Sequence, residues 1–280
     1  MKRIEAALAF IIAAALPVCA QVSVELKLPQ DQFLPNETLS VAVRISNRSG
    51  QMLRLGAEQD WLTFGLEAQK GSVVPKLGDP DVVGEFEVPS SKVAIKRVDL
   101  APYFNVSEPG RYSVTATVRI KGWDREITSP PKSFNIVNGA PLWEQEFGVP
   151  GSTNGVPEVR KYLLEQANYL KGQIRLYMRL TDKTGSRTFR TFPIGQMVSF
   201  SRPEGQVDKK SNLHVLYANG PHSFSYTMFD PSGELVARQI YDYVNSRPRL
   251  QVNQDGEVVV AGGSLREQPA KTSQEQNTKQ

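Results

Sequence analysis

The stretch EPGRYSVTATVRI, residues 108–120, decides how the first half of this chain is read. Tyr112, Val114, Ala116, Val118 and Ile120 alternate with Arg111, Ser113, Thr115, Thr117 and Arg119. A period of two is that of a β-strand with one buried face. Pro109 and Gly110 place a turn immediately before it, because proline presets φ and glycine accepts positive φ.

Working outward, the same period recurs on both sides. VSVELKL alternates, and so does ETLSVAVRISNRS, in which Leu39, Val41, Val43 and Ile45 share one face. Pro35 and Asn36 open that strand, and the turn residues from Asn47 to Gly50 close it. DWLTFGLEA, SKVAIKRVDL and KSFNIV supply further strands, and no segment in this half has a helical period. Short strands at regular spacing, separated by turn chemistry, predict an all-β sandwich over residues 22–137.

A tyrosine at the start of such a strand, just after a Pro-Gly turn, resembles the tyrosine corner of immunoglobulin-like sandwiches. About 115 residues are similar to the bacterial immunoglobulin-like and fibronectin-type modules of exported proteins. That resemblance implies a fold and no function. It also implies that Tyr112 pins a corner through its hydroxyl.

SPPK at 129–132 precedes the last strand of the sandwich, and Asn138 to Val156 is rich in Gly, Pro and Asn. Residues 138–156 therefore read as a linker, with Trp143 and Phe147 as a packed plug between modules or, alternatively, a ligand platform. In PEVRKYLLEQANYLKG, Val159, Tyr162, Leu163, Gln166, Ala167 and Leu170 fall at helical spacing. That spacing favours one short helix; the alternative is the first strand of a hairpin before GQIRLYMRLTD. Beyond it IRLYMRLTD, SRTFRTFPIG, MVSFS, LHVLY, SFSYTMF, ELVARQIYDY, RLQV and EVVVAGG read as strands separated by DKTG, NG, DPSG and NQDG turns.

The second half, residues 157–263, is thus a β-meander. Ile174 and Leu213 occupy equivalent places in a weak repeat of about 40 residues, which suggests two propeller-blade-like units; two cannot close a ring, so a small meander or barrel packed on the sandwich is the favoured form. The fold class is mainly β, an immunoglobulin-like sandwich followed by a meander with at most one short helix. Residues 264–280 read as a disordered tail.

The chain opens MKRIEAALAFIIAAALPVCAQ. Lys2 and Arg3 before a short apolar run read as a secretory signal peptide over residues 1–20, with cleavage after Ala20. A lipoprotein reading, with Cys19 lipidated, is the rival. Cys19 is the only cysteine, so cleavage after Ala20 leaves none, and an ordinary core must hold the fold without disulfides. The 40% hydrophobic and 22% charged content allow that. No later segment is apolar enough to span a bilayer. Periplasm or exterior is the expected location, and there the sequons at Asn36, Asn47 and Asn105 carry no glycan.

His214 and His222 are the only histidines. A two-residue turn at Asn219 and Gly220 pairs Tyr217 with His222, Val215 with Phe224, and His214 with Ser225. His222 then shares a face with Leu213, Val215, Tyr217, Phe224 and Tyr226, and His214 lies on the opposite sheet surface with Leu216. A longer turn centred on Gly220 and Pro221 shifts that register by one. Two histidines on opposite faces and no mature cysteine leave no zinc ligand set, and no metal or cofactor is expected. Ser129 and Lys132 match Ser-x-x-Lys, but Pro130 and Pro131 forbid the helical turn that would aim one at the other. Glu144 with Glu146, and Asp230 with Asp242, are nominal carboxylate pairs for glycoside hydrolysis.

Between Glu158 and Lys210 eleven basic residues stand against five acidic ones, within a chain of net charge +4. Arg175, Tyr177 and Arg179 share a strand face, and Arg187 and Arg190 fall on the paired strand. These four arginines are the candidate site for an anionic ligand, with a solvated strand face as the alternative. Export removes the chain from nucleic acid. The whole chain, through LYMRLTDKTGSRTFRTFPIG, SRPRL and VVVAGG, is similar to exported bacterial proteins of unknown function. The expected function is non-enzymatic binding of a protein or polysaccharide of the envelope or exterior. Alternatives are an envelope or matrix component that binds anionic polymer through the basic second half, and a carbohydrate-active enzyme whose carboxylates the sequence does not identify.

Overall fold

A computed structural model describes residues 22–150, 158–170 and 172–267. Residues 1–21, where the expected signal peptide and Cys19 fall, residues 151–157 of the expected linker, and residues 268–280 lie outside the described residues. The chain is mainly β. Among the described residues the only helical pieces are four single 3₁₀ turns, at Gln59–Trp61, Gln69–Gly71, Ala101–Tyr103 and Lys121–Trp123.

Ten strands build the N-terminal half: β1 (Val22–Lys27), β2 (Gln32–Phe33), β3 (Ser40–Asn47), β4 (Leu53–Leu55), β5 (Leu62–Ala68), β6 (Phe86–Val88), β7 (Val93–Asp99), β8 (Gly110–Ile120), β9 (Arg125–Thr128) and β10 (Lys132–Ile136). One sheet runs β1-β3-β7; the other runs β2-β10-β8-β5, with β9 also on β8. Strands β4 and β6 form a separate ribbon.

The alternation read from sequence is what the sheets bury. Leu39, Val41, Val43 and Ile45 point into the same core as Val114, Ala116, Val118 and Ile120. The Tyr112 hydroxyl donates to the Glu108 carbonyl at 2.7 Å, and its ring stacks on Phe134. Asn47 is fully buried, its amide donating to the Gln51 and Val88 carbonyls, so a glycan there is incompatible with the fold.

The C-terminal half continues with β11 (Ala140–Gly148), β12 (Val159–Leu170), β13 (Gln173–Asp182), β14 (Thr188–Met197), β15 (Glu204–Val207), β16 (Leu213–Ala218), β17 (Ser223–Phe229), β18 (Leu235–Asp242), β19 (Arg249–Val252), β20 (Val258–Ala261) and β21 (Ser264–Leu265). Two antiparallel sheets, β11-β12-β13-β14 and β15-β16-β17-β18-β21, share a core of Tyr162, Leu164, Leu176, Met178, Leu180, Val215, Tyr217 and Phe229. The β19–β20 hairpin lies over the far side of the second sheet, where Leu250 and Val260 pack near Leu216 and Tyr226.

Three expectations need correction. Residues 159–170 are strand, not helix. Tyr162 and Leu164 face the shared core while Glu165 and Ala167 are buried on the opposite side, so both faces are covered and the expected alternation is blurred into apparent helical spacing. Pairing to β11 and β13 on both edges outweighs local propensity. The linker of residues 138–156 contains β11, an integral strand: Phe147 stacks on Tyr162 with centroids 4.2 Å apart, and Trp143 packs against the same core. Ser264 and Leu265, placed in the expected tail, instead pair with β18.

Candidate functional site

The arginines singled out in the sequence do not converge. Arg175, Tyr177 and Arg179 share a face of β13, as the alternation predicts, but the N-terminal half covers that face. Leu34 packs on Tyr177 and Ala167, and the Thr191 hydroxyl donates to the Pro35 carbonyl at 2.9 Å. Arg175 donates to the Gln30 side-chain oxygen and lies over the Tyr169 ring, 3.8 Å from its centroid. Arg179 pairs with the buried Glu165 at 3.4 Å. Arg190 pairs with Glu234, and Arg187 sits in a turn against Phe189. Arg175, Arg179 and Arg190 are thus held by protein partners, while Arg187 is exposed in its turn with a ring contact alone.

The other candidate groups are engaged as well. Glu144 pairs with Lys161 and Glu146 with Lys183. Asp230 accepts from the backbone amides of Ser232 and Glu234 in the β17–β18 turn, and Asp242 pairs with Arg266 at the other end of β18. Ser129 is buried and accepts from the Ala116 amide.

The histidines part company in a way the two-residue turn does not predict. Five residues, Asn219 to Ser223, separate the first paired residues of β16 and β17, so Ala218 pairs with Phe224 and Tyr217 with Ser225. His214 is buried, not at a sheet surface, because the β19–β20 hairpin covers its side. It hydrogen-bonds the Tyr226 hydroxyl at 2.8 Å and Asp208 at 3.2 Å. His222 is exposed in the loop, its ring 6.2 Å from that of Tyr243.

That loop forms one wall of an open groove of about 370 Å³ at the strand ends. Three connections meet there: the β14–β15 segment through Phe200, Ser201 and Arg202, the β16–β17 loop through Gly220 and Pro221, and the β18–β19 segment through Tyr243 and Arg247. Phe224 forms the floor.

The local sequence explains why these side chains face outward. The tripeptide Ser-Arg-Pro occurs twice, at residues 201–203 and 246–248, and in each copy the proline is buried while the arginine is exposed. A buried proline with fixed φ anchors the backbone and leaves the preceding residue at the surface. The Leu250 amide donates to Glu204 at 2.8 Å, tying the strand after one copy to the strand after the other. Gly262 and Gly263, at φ +77° and +67°, back the second copy; a Cβ on Gly262 would lie 2.8 Å from the Arg247 carbonyl oxygen. The Tyr243 amide donates to the His222 carbonyl at 2.8 Å, joining that segment to the β16–β17 loop.

Groove chemistry is cationic and aromatic. Phe200 is 86% exposed, and Arg247 lies over the Phe224 ring, 5.3 Å from its centroid. Arg202 and Arg247 line the groove and no carboxylate does. Asp242, one residue before Tyr243, is taken by Arg266, whose hydrogen bonds hold its carboxyl below the usual range. Ser201 Oγ and Asn219 Oδ1 are buried without a hydrogen-bond partner among the described residues. By contrast the hollow beside Trp61 is small, about 40 Å³, and its rim is self-compensated by Arg119–Asp60 and Lys121–Glu58 pairs.

Sequence reasoning missed this groove. The repeated Ser-Arg-Pro, each copy preceded within four residues by an aromatic, was the available signal.

No family model matches the chain, and no curated protein matches it. Among solved structures, Spo0M, a sporulation control protein from Bacillus subtilis, aligns over 87% of this chain and 90% of its own at 8% identity, with a TM-score of 0.32.

Proposed function

We propose that this chain is an exported, two-module, non-enzymatic binding protein of the bacterial envelope or exterior, and that the groove between Phe200 and Arg247 is its ligand site. The observation that supports this reading most is the contrast in side-chain commitment. His214 and the candidate carboxylates are bonded to protein partners, and His222 is exposed with no carboxylate beside it in the groove wall, whereas a nearly bare phenyl ring and two arginines without a lining carboxylate face solvent around one concavity. An exposed large apolar ring grouped with other binding chemistry marks an interaction site more often than a lone surface residue does. The signal peptide read at residues 1–20 supports export, and the absence of cysteine beyond Cys19 fits a fold held by its core.

A second reading, anionic polymer binding through the C-terminal half, is favoured by the uncompensated Arg202 and Arg247. It moves the expected contact from Arg175, Arg179, Arg187 and Arg190 to a different pair of arginines.

Cosedimentation of the exported chain with an isolated envelope fraction tests the general reading. We expect the chain to pellet with the fraction, the F200A/Y243A variant to remain in the supernatant, and no new reducing ends to appear. Groove-independent pelleting would contradict the site, and release of reducing ends would favour a carbohydrate-active enzyme.

A further inference from the structure

We infer that the groove takes an acidic carbohydrate, a chain of uronic acid residues, with Arg202 and Arg247 each receiving a carboxylate and Phe200 and Tyr243 stacking on sugar faces. This rests on the groove being the ligand site.

Charge sets the sign of the ligand. Two guanidinium groups line the concavity, none of the described ion pairs involves either, and no lining carboxylate offsets them. Arginine presents a planar fork of donors that matches a carboxylate with two parallel hydrogen bonds. Both arginines precede a buried proline and sit on backbone held by cross-links, so less freedom is lost when a ligand fixes them. Because the two Ser-Arg-Pro segments are tied together through Leu250 and Glu204, a polymer with recurring carboxylates can engage both.

Shape favours sugar over peptide. The groove is made of strand ends and loops, so it offers no free strand edge along which a peptide backbone could add a ladder of hydrogen bonds. What it does offer is flat apolar surface, at Phe200 and Tyr243, beside two guanidinium groups. A uronic acid ring carries both complements, an apolar C–H face and a carboxylate on its rim. Aromatic rings supply large contact area at low conformational cost.

Isothermal titration of the exported chain with a galacturonic acid hexamer, its methyl-esterified neutral counterpart and hexaglutamate tests the inference. Melting temperature confirms that each variant folds. R202Q/R247Q should weaken uronate binding about tenfold or more, the scale expected for losing charge-assisted hydrogen bonds. K209Q/K210Q removes the same charge from two exposed lysines outside the groove and should leave binding within about twofold, since exposed charges at a distance are screened. The methyl ester and hexaglutamate should each bind at least about tenfold more weakly than the uronate.

Equal losses in the two charge variants would overturn the inference in favour of diffuse electrostatics, and tighter hexaglutamate binding would overturn it in favour of an acidic peptide. Equal affinity for the methyl ester, abolished by F200A/Y243A, would overturn the acidic class while leaving the groove as the ligand site. Absence of uronate binding to the unaltered chain would overturn the class as well, and the cosedimentation result then decides the site separately. Uronate binding unaffected by F200A/Y243A and by R202Q/R247Q would remove both.

Discussion

Arg175, on the first meander sheet, hydrogen-bonds the side chain of Gln30, which belongs to the sandwich. Gln30 in turn donates from its amide to the buried Glu37 carboxyl at 2.9 Å, and the Leu34 amide donates to the other Glu37 oxygen at 2.8 Å. The two halves therefore meet through a polar relay as well as through Leu34, Ala167 and Tyr177.

Burial pushes the Glu37 carboxyl up to about 7 despite those donors and the nearby Arg175. Its folded value thus lies above its unfolded one, so between about 4.5 and 7 the folded chain holds a proton that the unfolded chain has released. Stability from this group is complete at the acid end and is lost as pH rises through about 7. Calorimetric melting between pH 5 and pH 8 should show this decline, on the order of 1–3 kcal/mol. Glu37→Gln should flatten it; identical slopes in the two proteins would remove Glu37 as the titrating group.

Tyr162 links the two meander sheets: its hydroxyl donates to the Asp230 carbonyl at 2.6 Å while its ring stacks on Phe147. Tyr162→Phe keeps the ring and leaves that carbonyl without the hydroxyl. We expect a cost of about 1–2 kcal/mol, read as a melting temperature lower by several degrees. A melting temperature within error of the unaltered protein would show that this bond adds nothing net.

Gly205 in β15 sits where a side chain has no room, because a Cβ would come within 2.8 Å of the Trp143 indole. Gly205→Ala must displace β15 or rotate Trp143, and overpacking of this kind costs about 1–3 kcal/mol. The indole emission should shift as well. An alanine variant with unchanged stability and emission would mean the two sheets adjust freely at this contact.

His214 tests the claim that the buried histidine is structural. His214→Ala leaves Tyr226 and Asp208 without their shared partner and should destabilise by about 1–3 kcal/mol. Ligand affinity measured well below the melting transition should stay within about twofold. A selective loss of binding in a fully folded His214→Ala protein would instead place the imidazole in the site.

The strands of the sandwich were legible because each has one buried face: Leu39 to Ile45 and Tyr112 to Ile120 show a clean period of two. β12 was not legible, because it is sandwiched between the shared core and the N-terminal half and carries Glu165 and Ala167 on the face that should have been solvated. Residues Arg175 and Arg179 looked like a binding face for the same reason: alternation reveals that they are neighbours and says nothing about what covers them. The histidine register failed on loop length, since Asn-Gly signals a tight turn and the chain instead leaves five residues between the paired Ala218 and Phe224. The groove was hidden because its residues come from three connections, and only the repeated Ser-Arg-Pro links two of them in sequence.

The central claim is that ligand sits at the strand ends, between Phe200 and Arg247. Backbone and arginine side-chain NMR shifts during titration with the galacturonic acid hexamer test it most directly. We predict that perturbations concentrate at residues 200–203, 219–224 and 243–248, with both Arg202 and Arg247 side-chain signals moving. Shifts gathered instead on Arg187 and Arg190, or spread evenly over the basic surface, would contradict the account.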